Sequence, residues 1–126
     1  MNNCARQAYV DAVVTNYVRL PGTPLRASRQ DRLFARMLYE TRVPLRVVYA
    51  AFVLAIARRE VRSGSQPRLP AIRTLRFFQG AIDEVVETGV DPSYVHYLAG
   101  KIRPLVAEKD AALRSGRDHT SDSRAS

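Results

Sequence analysis

Thirteen arginines and no lysine lie between residues 19 and 76, where Asp31, Glu40 and Glu60 are the only acidic residues. Ten of them fall into four groups: Arg26 and Arg29; Arg32 and Arg36; Arg58, Arg59 and Arg62; Arg68, Arg73 and Arg76. A guanidinium is a planar fork of N–H donors that grips a phosphate or carboxylate at two points. Four such groups on one half of a chain point to a phosphate-rich or acidic partner. Residues 77–126 hold six basic and eight acidic side chains, so the net charge of +8 is carried by the first 76 residues. Arginine outnumbers lysine 18 to 2. A codon bias would explain that ratio but not the clustering.

Other chemistries are thinly supplied. His96 and His119 are the only histidines and Cys4 is the only cysteine. A zinc site needs three or four ligands, and these residues do not provide them. Asp83 and Glu87 would share a helical face, with Glu84 nearby, but a solvated acidic face accounts for them. No phosphate-cradling glycine loop and no nucleophile elbow occurs. The expectation is a non-enzymatic protein with no metal and no cofactor. With one cysteine, no disulfide can form within the chain, and the N-terminus lacks the pattern of a signal peptide. The longest apolar run, Val47 to Ala57, is 11 residues, short of the ~20 needed to span a bilayer. A cytoplasmic protein with no membrane partner is therefore expected.

The elements that must position the arginines read as helices, giving an all-α bundle of about five helices. Its single domain should cover residues 1–114, with a disordered polar tail over 115–126. Tyr9, Val10, Val13, Val14, Tyr17 and Val18 form one stripe of a first helix over about 5–20. A loop with two prolines follows, over Pro21–Ala27. Ser28 is a natural N-cap for the second helix, with Asp31 at the capping-box position. Leu33, Phe34, Met37 and Leu38 are its expected inner face, and Arg29, Arg32 and Arg36 its outer one. Pro44 should open the third helix (44–62), which is apolar on every side and so should be central. After a second loop, Ser63–Pro70, a fourth helix is expected over 72–88, with a stripe of Leu75, Phe78, Ile82, Val85 and Val86. Gly89 caps it. Asp91 and Pro92 start the fifth helix, which carries Tyr94, Leu98, Ile102 and Leu105. Pro104 should kink or divide that helix, and a last polar helix would reach Arg114.

Two helices joined by a short turn over Leu33–Phe52 raise the possibility of a DNA-reading helix-turn-helix. Its second helix would have to expose polar side chains to base edges. Almost none follow Arg46, so a packed hairpin is the better reading. If the two proline-containing loops fold to one end of the bundle, the arginine groups beside them form one patch. Arg26, Arg29, Arg32, Arg36, Arg58, Arg59, Arg62, Arg73 and Arg76 are the expected phosphate contacts. Phe77, Tyr39 and Tyr49 are rings that could lie beside them and stack on an unpaired base, although a core position is the better account of each. The partner is expected to be DNA, single- or double-stranded and read with little sequence preference. An acidic protein is the alternative, with the chain acting as an adaptor.

The run Leu20-Pro21-Gly22-Thr23-Pro24, then Ala27-Ser28-Arg29-Gln30-Asp31, Val43-Pro44-Leu45, Val48-Tyr49-Ala50-Ala51 and Ile72-Arg73-Thr74-Leu75-Arg76-Phe77-Phe78 resembles a small domain of replication-associated proteins of bacterial mobile elements. The layout is also similar to the C-terminal domain of DnaD-type primosome proteins. Phe78, Ile82 and Val86 match the spacing of that family's aromatic-x-x-x-Ile-x-x-x-Trp helix, with valine in place of tryptophan. The resemblance implies an all-α fold, DNA binding and contacts with replication proteins.

Overall fold

A computed structural model describes the backbone of residues 2–63 and 70–125 and the side chains of residues 4–60 and 70–114. The centre of the molecule is built on a helix whose whole girdle is apolar. Val48, Ala51, Phe52, Leu54, Ile56 and Ala57 are buried, and Val47, Tyr49, Ala50, Val53 and Ala55 pack half-buried around them. This helix, α3 (Leu45–Ser63), follows α1 (Asn2–Val18) and α2 (Arg29–Glu40). A single 3-10 turn (Leu75–Phe78) then leads into α4 (Gln79–Thr88), and α5 (Pro92–Ala125) closes the bundle. No strand occurs among the described residues. α3 packs against α1, α4, α5 and the 3-10 turn. Each Leu, Ile or Phe fully buried in this way contributes roughly 1.5–3 kcal/mol.

The predicted stripe of α1 is buried as read, with Val18 half-buried at its end. Its Tyr9 hydroxyl donates to Val43 O at 2.7 Å. Burial, followed by the charge on Tyr49, pushes that phenol up to about 12. Ser28 caps α2 and exchanges hydrogen bonds with Asp31, completing the box. Pro44 lies just before α3, and its carbonyl accepts from the Val47 and Val48 amides at 3.0 and 3.2 Å. Gly89 caps α4 in the left-handed region (φ 63), and Asp91 Oδ1 accepts from the Ser93 amide at the head of α5.

Several expectations are corrected. The inner face of α2 is Asp31, Phe34, Ala35 and Leu38, spaced i, i+3, i+4 and i+7. Leu33 lies about 100° round from Phe34 and is exposed. The helix expected over 72–88 starts only at Gln79. An extended stretch and the 3-10 turn take the place of its first turns: the Ile72 amide donates to Gly22 O at 2.8 Å, and the Leu75 amide, whose helical acceptor would be Ala71 O, donates to Asp31 Oδ1 at 2.9 Å. Val86 stands outside the row of Phe78, Ile82 and Val85 and is exposed, as is Tyr94 on α5. α5 is not divided at Pro104. Gly100, whose carbonyl loses its donor to the proline, is solvent-exposed, so water can satisfy it. The partners of α2 are α1 and the 3-10 turn rather than α3, so the expected α2–α3 hairpin is a connection more than a packed pair. The side chains of 115–126, read as a disordered tail, lie outside the described residues, as do residues 64–69 of the second loop.

Candidate nucleic-acid interface

The Pro21–Ala27 loop and the 70–74 stretch that leads into the 3-10 turn meet at one end of the bundle, tied by the bond from the Ile72 amide to Gly22 O. Gly22 sits at φ +83, a conformation that glycine adopts without steric cost. Thr23 turns inward, its hydroxyl 2.9 Å from Tyr17 O and 2.7 Å from Leu20 O. From α5, Lys109 Nζ donates to Leu20 O, Thr23 O and Thr23 Oγ1 at 2.7–2.9 Å. Desolvation lowers the pKa of that ammonium, while the three acceptors satisfy all its donors. One residue along each segment, Arg19 makes two bonds to Asp110, at 2.9 and 2.8 Å. That pairing raises the arginine and holds the carboxylate below its usual range.

From α3, Arg59 reaches across the same junction. Its Nη2 donates to Pro70 O at 2.8 Å, and its guanidinium carbon lies 5.7 Å from the centroid of the Phe77 ring. Arg59 is half-buried, so it builds the site as well as charging it. Asp31 does similar work from α2. It is 2% exposed, and its two carboxylate oxygens serve the Ser28 and Leu75 amides. The loop, α2's first turn and the segment leading into the 3-10 turn are thereby locked to one another.

On this frame stand Arg26, Arg29 and Arg73, all exposed and with no hydrogen-bond or ion-pair partner among the described residues. Arg76 is exposed as well, with its guanidinium carbon 5.1 Å from the Phe34 ring centroid. These four lie on the segments that the bonds of Gly22 O and Asp31 join. The other predicted contacts are placed differently. Arg32 pairs with Asp11 at 3.1 Å, Arg36 with Glu40 at 3.6 Å, and Arg58 grips Glu84 with two bonds at 2.8 and 2.7 Å. The Arg58 contact keeps the Glu84 carboxyl below its ordinary range. The side chains of Arg62 and Arg68 lie outside the described residues. Exposed ion pairs of this kind contribute about 0–1 kcal/mol, so a phosphate could displace the carboxylates, but the arginines are not free.

Of the three rings singled out, Tyr39 and Tyr49 are half-buried against the core, and Phe77 is 48% exposed. The sequence reading missed Lys109, Arg19 and exposed Leu25. The two cations act over about 90 residues of separation, and no local pattern announces that. At the far end of α3, roughly 20 Å along its axis, Val47, Ala50, Val85, Val90 and His96 line an apolar groove of ≈ 730 Å³ between α3, α4 and α5. Among the described residues no cluster of three or more His, Cys, Asp or Glu could hold a metal ion. Among the described residues no helix is long and apolar enough to cross a membrane.

Against family models, curated proteins and solved structures alike, the chain finds no match.

Proposed function

We propose that this is a non-enzymatic, cytoplasmic DNA-binding accessory protein that grips the phosphate backbone through the arginine end of the bundle. The observation that carries the reading is the convergence of Arg26, Arg29, Arg73 and Arg76 on one stapled junction, three of them unpartnered among the described residues. Holding unpaired like charges together has an electrostatic cost, which a polyanion relieves by giving up its counterions. α3 offers no reading face, because its girdle is core. Binding should therefore follow phosphate density with little regard to sequence. The resemblance to DnaD-type and mobile-element domains implies a role in replication or maintenance of a mobile element, beside replication proteins.

The test is fluorescence anisotropy with labelled DNA at low and near-physiological salt. A linear fall of log K with log salt is expected, its slope counting the phosphates engaged. Absence of binding at low salt would end the reading. Leu25, 56% exposed on the same loop as Arg26, favours a second one, since a protein surface would cover an apolar side chain that phosphate would not. On that adaptor reading an acidic protein is retained in a pull-down after nuclease treatment.

A further inference from the structure

We infer that Phe77 is a stacking platform for an unpaired base, and that the ligand of the arginine end is single-stranded DNA. This rests on the DNA-binding reading above and deepens it.

The 3-10 turn fixes the ring. Phe78 is fully buried, packed edge-on to Phe52 at 4.9 Å and to Tyr17 at 6.1 Å. Its neighbour Phe77 is thus directed outward, and nearly half its surface meets solvent. It is not loose. Phe78 meets it edge-on at 5.1 Å and 84°, and the guanidinium of Arg59 lies over it, anchored in turn to Pro70 O. A ring fixed in place, with nearly half its surface open and a cation against it, presents a flat apolar surface to a partner. A nucleobase fits, because every base has a π-face and adjacent cations strengthen the stack. Flanking phosphates have guanidiniums within the same segment: Arg73 in the extended stretch before the turn, and Arg76 next to the ring.

A duplex is a poorer fit. Its bases are stacked on one another and offer no open face, and its major groove is read by a helix or ribbon laid into it. The arginine end is instead a loop, an extended segment, a 3-10 turn and the first turn of α2. Asp31 already bonds the amide at the head of that turn, so the N-terminus of α2 is not an open anion site.

The chain contains no tryptophan, so Phe77→Trp installs a single reporter at the platform. The full chain carrying it is titrated with an oligo-dT of about 15 nucleotides, a length matched to known single-strand site sizes. Strong quenching of its emission at saturation is expected, with affinity close to that of the parent. Phe77→Ala should bind the oligomer about tenfold more weakly, with an unchanged salt slope and unchanged duplex affinity, since stacking releases no counterions. The parent should prefer the single strand over a duplex of equal length. Unquenched emission at saturation, or Phe77→Ala binding like the parent, would overturn the platform while leaving DNA binding intact. Failure of the parent to bind either form at low salt would overturn both. Tighter binding of a matching RNA oligomer would keep the platform and overturn DNA as its ligand.

Discussion

Asp31 shows how much one side chain can hold here. Aspartate is shorter than the glutamate usual at its capping-box position, and by local rules it is the weaker choice. The structure makes the short arm useful: Oδ2 takes the Ser28 amide, and Oδ1 is left to take the Leu75 amide, 44 residues away. The box was legible at Ser28 and Asp31 because capping is local. The second bond was not, because nothing near residue 31 encodes a donor near residue 75. Asp31→Ala removes the acceptor of a buried amide and half of a cap together. Urea unfolding should show a loss of about 3 kcal/mol, the sum of a cap and an orphaned buried donor. Asp31→Asn, which retains one acceptor oxygen, should fall between. A loss below about 1 kcal/mol for the alanine variant would mean that the carboxylate does not hold the 70–75 segment in place.

Among the elements, the helices whose stripes face one neighbour were legible, and the parts that are held from afar were not. α1 and α3 follow their apolar patterns, and Gly89 and Asp91 mark the ends they should. The fourth helix was overextended because Leu75, Phe78 and Ile82 keep helical spacing across a stretch whose amides are used by Gly22 and Asp31. The α2–α3 connection adds a feature that composition hides. The Val43 amide bonds Leu38 O and the Arg42 amide bonds Tyr39 O, both at 3.0 Å, which is the double closure of a Schellman turn. The left-handed position of that turn is filled by Arg42, at φ 64, where glycine is the unstrained choice. Arg42 is exposed, with no ion-pair partner among the described residues. Arg42→Gly should therefore raise the urea midpoint, by up to about 1 kcal/mol of stability, relief of strain outweighing the entropy that glycine adds to the unfolded chain. A lower midpoint would show that the turn is not strained at that residue. DNA affinity should barely change, because Arg42 lies at the opposite end of α3 from the stapled junction.

Across the whole molecule, charge is sorted twice, first by sequence and then by pairing. The sequence places ten excess positive charges between residues 19 and 76. The fold then neutralises part of that excess with carboxylates from other elements: Asp11 meets Arg32, Glu84 meets Arg58 and Asp110 meets Arg19, while Arg36 meets Glu40 within α2. Among the described residues, what survives unpaired at the stapled junction is Arg26, Arg29 and Arg73, with Arg76 resting on Phe34. Linear sequence ranked all nine candidates alike because it shows where charges lie along the chain and not which carboxylate each will face. The distinction has a measurable consequence. A phosphate at Arg29 or Arg73 displaces only water and counterions, whereas one at Arg32 or Arg36 must first part an ion pair. Arg29→Glu with Arg73→Glu should therefore lower the salt slope for single-stranded DNA by about 1.4, the counterions of two phosphate contacts. Arg32→Glu with Arg36→Glu changes the net charge equally but should lower the slope by less than half as much, with a small affinity loss set by the long-range field. Equal slopes for the two double variants would mean that net charge alone, and not the stapled junction, determines how the protein holds DNA.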